Sequence, residues 1–319
     1  MIDTIHIELQ QQQITNLTKN SDTIDSGTGE IMYSIGYIDN VKVKQHSRGI
    51  KIECSLPKIL KGSNLYQLNF LEIADAIRLI ESKIGISINE GIIRRLDVYV
   101  NIETIFKPAS YFRSLGSSRY LTRSLVGKTS LYYKNNFREN NFYDKITEMN
   151  ARSESIPIDY QNKNILRFES RLKNTFLRKF SKKKYNSNLK ISMLFDPEFL
   201  IFLVDFLMLE YQNIYKEKKL NIDFKKIDSK KSLIERLACK GIEAFGGVNE
   251  VLEMIDASRI FNEKVHKEYF SRRKSEIKEV AKLDDFTFKD KKIDELDDKF
   301  NVAKNMMLVE LQNDIKSKK

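Results

Sequence analysis

The sequence predicts an α+β protein, with an antiparallel, nuclease-like sheet in the N-terminal half and a mainly α-helical C-terminal half. Three observations carry that reading. Segments that alternate with strand period, such as Ile5-His6-Ile7-Glu8-Leu9, recur up to about residue 172. After about residue 174 the apolar residues recur at helical spacing instead. Only 4 prolines and 12 glycines punctuate the 319 residues, which leaves little room for long disordered linkers. The expected division is a sheet domain over 1–175 and a helical domain over 176–319.

In chain order, Ile5, Ile7 and Leu9 share one face of the first strand, and Val41 to Gln45 and Ile50 to Ser55 are two more strands. Gly49 lies between them after Ser47-Arg48, as a tight turn requires. Asn69 caps a helix running to about Lys83, with Leu71, Ala74, Ile77 and Ile80 at helical spacing and Gly85 as its stop. Strands follow at Arg94 to Ile102, Ser130 to Lys134, Asn140 to Lys145 and Ile165 to Leu172. Asp196-Pro197 opens a helix, cap first and proline next. Helices are predicted over 197–218, 229–242, 247–257, 262–281 and 294–316, with Gly246-Gly247 as a turn between two of them.

The formal net charge is +11 and the isoelectric point about 9.3, which favours polyanionic partners, nucleic acid above all. Cys54 and Cys239 are too few and too far apart for a disulfide framework or a zinc site, so both are expected to be reduced in a cytoplasmic setting. Met1 to Glu8 carries acids where a secretion signal would carry bases and an apolar run. The most apolar stretch, Phe199 to Leu209, is broken by Asp205 and falls short of the roughly 20 residues that span a bilayer. It reads as a buried helix, and no membrane partner is expected.

Alternate residues of a strand face opposite sides of its sheet. The polar side of the first strand carries His6 and Glu8; that of Arg95 to Asn101 carries Arg95, Asp97, Tyr99 and Asn101; that of Leu166 to Leu172 carries Arg167, Glu169 and Arg171. If these strands are neighbours, His6, Glu8, Asp97 and Glu169 converge. Carboxylates with one imidazole suit Mg²⁺ or Mn²⁺, which would polarise a scissile phosphate. In Asn141-Phe142-Tyr143-Asp144-Lys145 the alternation turns Tyr143 and Lys145 to one side, and Glu148 follows where a helix can begin. A lysine beside the phenol and a metal-bound phosphate would ease formation of a phenolate whose usual pKa is about 10.

From Arg171 to Lys190 there are eight bases and no acid: Arg171, Lys173, Arg178, Lys179, Lys182, Lys183, Lys184 and Lys190. Phe176, Phe180 and Tyr185 are interleaved, the pattern of a track that meets phosphates with lysine and bases with rings. The competing reading is a solvated helix whose aromatics face the core. Lys58 and Lys61, followed by Gly62-Ser63-Asn64, form a second candidate phosphate grip. Arg272-Arg273-Lys274 is a third basic cluster.

Five ordered pieces resemble the phage and plasmid replication proteins related to the gene-two initiator of filamentous phages. They are Ser55-Leu56-Pro57-Lys58 with Gly62-Ser63-Asn64; Arg95-Leu96-Asp97-Val98; Ser130-Leu131-Tyr132-Tyr133; Phe142-Tyr143-Asp144-Lys145-Ile146-Thr147-Glu148; and Leu166-Arg167-Phe168-Glu169-Ser170-Arg171. Together they span roughly residues 1–175. The resemblance implies a rolling-circle initiator in the bacterial cytoplasm that nicks and rejoins single-stranded origin DNA through a 5′-phosphotyrosine. By that resemblance Tyr143 would be the nucleophile and Asp97 and Glu169 would serve the metal site; the residue pattern adds Lys145 and Arg167 as catalytic companions and His6, Glu8 and Glu148 as further candidates around Mg²⁺ or Mn²⁺. Tyr132 and Tyr133 are rival nucleophiles. Many rolling-circle nickases carry a His-hydrophobe-His pair, whereas this chain has only His6, His46 and His266 and no such pair. The helical region is expected to bind origin DNA, another copy of the chain or a host helicase. The alternative is a non-catalytic initiator that binds and melts the origin.

Overall fold

The computed structural model describes residues 1–10, 13–15, 17–220, 229–260, 267–281 and 287–317. It divides the chain into two compact units. One comprises 1–109, 118–213 and 299–319, and the other 110–117 and 214–298.

The elements of the first unit begin with β1 (Ile2–Gln10), β2 (Thr18–Ile24), β3 (Ile31–Ile38), β4 (Val41–His46) and β5 (Gly49–Ser55). Helices α1 (Leu56–Lys61) and α2 (Phe70–Ile84) follow, then β6 (Ile92–Glu103). After β7 (Leu115–Ser118) come β8 (Thr122–Val126), β9 (Ser130–Lys134), β10 (Arg138–Asp144), α3 (Lys145–Ala151), β11 (Ile165–Lys173), α4 (Asn174–Tyr185) and α5 (Pro197–Gln212). Ten strands form one antiparallel sheet in the order β2-β3-β4-β5-β1-β6-β11-β10-β9-β8. The expected antiparallel sheet is therefore present, and the helical C-terminal region with it.

Local chemistry explains the boundaries. Asn69 and Glu72 form a reciprocal capping box at the start of α2, and Gly85 ends it at φ 75°. Asp196 accepts from the Glu198 amide and Pro197 occupies the first turn of α5. That helix stops at Gln212, short of the expected 218, because a short strand takes over at Ile214. One sheet face is apolar: Ile5, Ile7, Leu96, Val98, Phe142 and Phe168 are buried. Phe142 and Phe168 stack at 4.3 Å, Tyr211 and Phe300 stack at 3.8 Å, and Phe168 meets Phe300 edge-on at 5.7 Å. Each such pair adds about 0.5–1.5 kcal/mol beyond its buried area.

In the second unit, β7 pairs with β12 (Ile214–Lys216), and β13 (Lys218–Leu220) pairs with β14 (Thr287–Lys289). Helices α6 (Lys230–Ala244), α7 (Val248–Ile260) and α8 (Lys267–Val280) bury Cys239, Ile242, Val248 and Phe270. Ser114 donates to Asp290 at 2.7 Å within this unit. The last helix, α9 (Lys291–Ser317), starts earlier than the 294 expected. Residues 262–266 of the expected helix 262–281 lie outside the described residues. No described helix is long and apolar enough to cross a membrane.

Candidate active site

Antiparallel register aligns the polar face of the sheet into cross-strand rows. One row reads Asn101, Arg167, Tyr143, Ser130 across β6, β11, β10 and β9. The next reads Tyr99, Glu169, Asn141, Tyr132, and the third Asp97, Arg171, Glu139, Lys134. Opposed residues in such rows are close enough to touch, and diagonal ones are within reach of long side chains. A pocket of about 330 Å³ opens over them, lined among others by Asp97, Tyr132, Asn141, Tyr143, Lys145 and Glu169.

Two β-bulges on the β1–β6 pair complete the pocket. Register slips between Ile2 and Ile5, so Asp3 and Thr4 together oppose Asp97. Strict alternation from Ile5, Ile7 and Leu9 would put Asp3 in the apolar core; the bulge turns it to the polar side. There it accepts from Ser55 at 2.5 Å, Asn64 at 3.1 Å and Arg167 at 2.9 Å. The second slip lies between His6 and Ile7 and leaves Arg94 as the extra residue beside Arg95.

Arg167 is the hub beneath the pocket. It is fully buried, bonds Asn101 Oδ1 at 2.8 Å through Nε, donates to the Asn64 carbonyl, and stacks over the Tyr99 ring at 4.2 Å. Expected as a catalytic group, it does not line the opening. Its influence on Tyr143 is electrostatic, the largest effect opposing the burial that pushes this phenol well above its usual value of 10.

The Tyr-Asp-Lys segment is a strand-to-helix turn. Tyr143 ends the polar row, Asp144 caps α3 by accepting from the Thr147 amide, and Lys145 occupies the first helical position. The period-2 expectation that Tyr143 and Lys145 share a side holds, and both line the pocket. Tyr143 Oη donates to Glu169 Oε2 at 3.0 Å. Burial, with Asp97 and Asp3 adding like charge, pushes the Glu169 carboxyl up to about 7. Burial, with Arg167 adding like charge, pushes the Lys145 ammonium down to about 8, against its 2.6 Å bond to Glu148.

The rival tyrosines separate by face. Tyr132 lines the pocket, whereas Tyr133 is fully buried on the core face against Phe142. Sequence reasoning passed over Asp3 and gave no side-chain role to Ser55, Asn64 or Asn141, all of which line the same pocket. The Asn141 Oδ1 and Asn64 Oδ1 atoms are buried there with no donor.

The expected metal ligands do not gather around one point. His6 stands 3.6 Å from Glu53, and Glu8 pairs with Arg94 at 2.5 Å, both away from Glu169 along β1. Glu148 is held by Lys145 and Arg152. Asp97 is matched by Arg95 and Arg171, Glu169 by Arg171, and Asp3 by Arg167. Three carboxylates thus face three guanidinium groups, and among the described residues no three His, Cys, Asp or Glu side chains are grouped to hold one ion. Oxygen donors of the type Mg²⁺ and Mn²⁺ favour are present, but as placed they do not fit an ion.

The expected DNA contacts divide as well. Lys58 and Lys61 are paired with Glu154 and Glu72 at 2.6 and 2.5 Å, Arg171 is shared among Asp97, Glu139 and Glu169, and Lys173 donates to the Asn135 carbonyl. On α4, Arg178, Lys179, Lys182, Lys183 and Lys184 are exposed, and none pairs with an acid among the described residues. The interleaved rings are not part of that surface: Phe180 stacks on Phe202 at 4.3 Å and Phe176 meets Phe206 at 5.2 Å, so they join α4 to α5. The expected base-stacking role is corrected to helix packing, because Phe176, Phe180 and α5 form one apolar seam. Arg272 and Arg273 pair with Glu276, and Lys274 with Asp256, so that cluster is locally neutralised.

Residues 1–192 match the family model for the N-terminal region of the replication-associated gene-two protein, and the chain belongs to that family of phage replication initiators. No curated protein matches the chain.

Proposed function

We propose that the chain initiates rolling-circle replication by nicking and rejoining single-stranded origin DNA, with Tyr143 as nucleophile and Glu169 as the base that activates it. The observation that carries this reading is the 3.0 Å hydrogen bond from Tyr143 Oη to a carboxyl held near 7, inside a polar pocket rich in arginine. A base is most effective when its pKa lies near working pH. A half-buried phenol pushed well above 10 needs such a partner to react at all.

Glu169 takes the phenolic proton as Tyr143 Oη attacks the scissile phosphorus. The new bond is Oη–P, the bond broken is P–O3′, and the products are a 5′-phosphotyrosine and a 3′-hydroxyl. Lys145, held near 8, supplies the proton to the departing O3′. Arg95 and Arg171 line the pocket and offset the charge on the phosphate oxygens. Arg167 acts as a positioning residue, fixing Asp3 and lowering the cost of phenolate charge. Rejoining runs the same steps backwards. No step runs through a divalent ion, so Mg²⁺ or Mn²⁺ enters as a variable of the assay.

The test is to incubate the protein with an origin-bearing single strand, with Mg²⁺, with Mn²⁺ and with chelator, and to look for a protein–DNA adduct that survives denaturant. The adduct is expected in the wild type and absent in Tyr143→Phe. An undiminished adduct in that variant overturns the assignment. The second reading, a non-catalytic origin-binding initiator, is favoured by the raised phenol pKa. It requires that Tyr143→Phe and Glu169→Gln both replicate normally.

A further inference from the structure

A second opening lies on the same polar sheet face, beyond β1. It encloses about 440 Å³ and is lined by His6, Lys42, Lys44, Lys51, Glu53 and Arg94. Glu53 lines both this groove and the Tyr143 pocket, so the two adjoin across the sheet. Register explains the grouping. Lys42 opposes Glu53, which opposes His6, which opposes Arg95; Lys44 opposes Lys51, which opposes Glu8. Lys42, Lys44, Lys51 and Arg94 face two acids there, Glu8 and Glu53. Glu8 is shared by Arg94 at 2.5 Å and Lys51 at 3.9 Å, and Glu53 by Lys42 at 3.8 Å and His6 at 3.6 Å. Lys44 has no carboxylate partner among the described residues; its ammonium sits 3.2 Å over the Tyr33 ring. Tyr37, opposite Lys42, is exposed.

We propose that this groove is a binding track for the single-stranded DNA flanking the nick, with Lys42, Lys44, Lys51 and Arg94 meeting phosphates and Tyr37 offering a ring face to a base. The proposal rests on the nicking reading, because a phosphodiester seated at Tyr143 must send its strand somewhere, and the shared Glu53 wall leads here. Crossing from β11 to β4 takes four strand spacings, about 19 Å in all, so a strand occupying both openings spans more than one nucleotide. Excess cations beside an exposed tyrosine are the pattern that suits a single strand.

The track is tested in Tyr143→Phe protein, where no chemistry interferes, by fluorescence anisotropy with an oligonucleotide reaching beyond the scissile step on both sides. Lys44→Ala with Lys51→Ala is expected to weaken binding and to make the dependence of log affinity on log salt shallower by about 1.4, or about 0.7 for each phosphate on a single strand. Between roughly 50 and 200 mM salt, the protein with both lysines then loses about sevenfold more affinity than the variant. An unchanged slope and affinity, in a variant with an unchanged melting temperature, overturns the track. So does equal binding of a duplex of the same sequence. Adduct formation by the same lysine variant, with Tyr143 restored and a short substrate covering only the scissile step, is expected to match wild type. Failure of the track appears in anisotropy, whereas failure of the nicking reading appears as a missing adduct in the wild type.

Discussion

Replacing Glu169 with glutamine separates the chemistry from the fold. The side chain keeps its shape and an oxygen facing Tyr143 Oη, 3.0 Å away in the native protein, but it cannot take the proton. Loss of a positioned base costs about 10²–10⁴ in rate, so adduct formation by Glu169→Gln at pH 7.5 should fall by that factor while DNA affinity stays within about twofold of wild type. The fold should respond in the opposite direction. The carboxyl ionises near 4.5 when exposed and near 7 in the folded protein. At 1.36 kcal/mol for each tenfold, keeping it ionised in the fold costs up to about 3 kcal/mol. A folded pKa above the unfolded one means that wild-type stability is fully present below pH 4.5 and declines as pH rises through 7. Glutamine has no such decline, although Arg171 loses a charged partner at 3.3 Å. The variant should therefore gain on wild type between pH 5 and pH 8 in urea melts, and single-turnover adduct rates should lose their acidic limb. A Glu169→Gln protein that forms adduct at the wild-type rate, or that keeps a rate limb near pH 7, would refute the base assignment.

Other consequences follow from the same geometry. The wild-type rate should rise with pH to about 7 as Glu169 ionises and fall above about 8 as Lys145 loses its proton; Lys145→Met should remove the alkaline limb in the same single-turnover assay. Arg167→Met leaves Asp3 buried without its cation and should cost about 3–5 kcal/mol in denaturant unfolding. Phe180→Leu should lower stability by about 1–2 kcal/mol through weaker ring packing, yet leave single-strand affinity unchanged; weaker DNA binding would restore a base-stacking role. Replacing Lys182, Lys183 and Lys184 by alanine should make the salt dependence of DNA binding shallower by about 2, or about 0.7 for each lysine that meets a phosphate.

What the sequence made legible was local. Period-2 alternation placed Tyr143 with Lys145, and Arg167 with Glu169 and Arg171, on the sides the structure gives them. Caps and turns were equally local: Asn69, Gly85 and Asp196-Pro197 act where their side chains or backbone conformations require. Strand order was not local. Asp97 and Glu169 share a pocket because β6 lies beside β11 although more than sixty residues separate them, and alternation carries no trace of that pairing. Bulges defeated the pattern outright. The slip in β1 brings Asp3 into the site from a position that strict alternation assigns to the core, while His6 and Glu8 run on along β1 away from Glu169. Strand β2 went unread because Thr18 to Ile24 is mostly polar and exposed and lacks an apolar alternation. The α4 aromatics were ambiguous for a physical reason: a ring between lysines suits a nucleic-acid surface and an amphipathic helix equally, and only the presence of α5 against it decides.

The most direct measurement is to trap the protein–DNA adduct, digest it, and locate the nucleotide-bearing peptide by mass spectrometry. The account predicts a phosphonucleotide on Tyr143. Modification of Tyr132, or of any other residue, would contradict it.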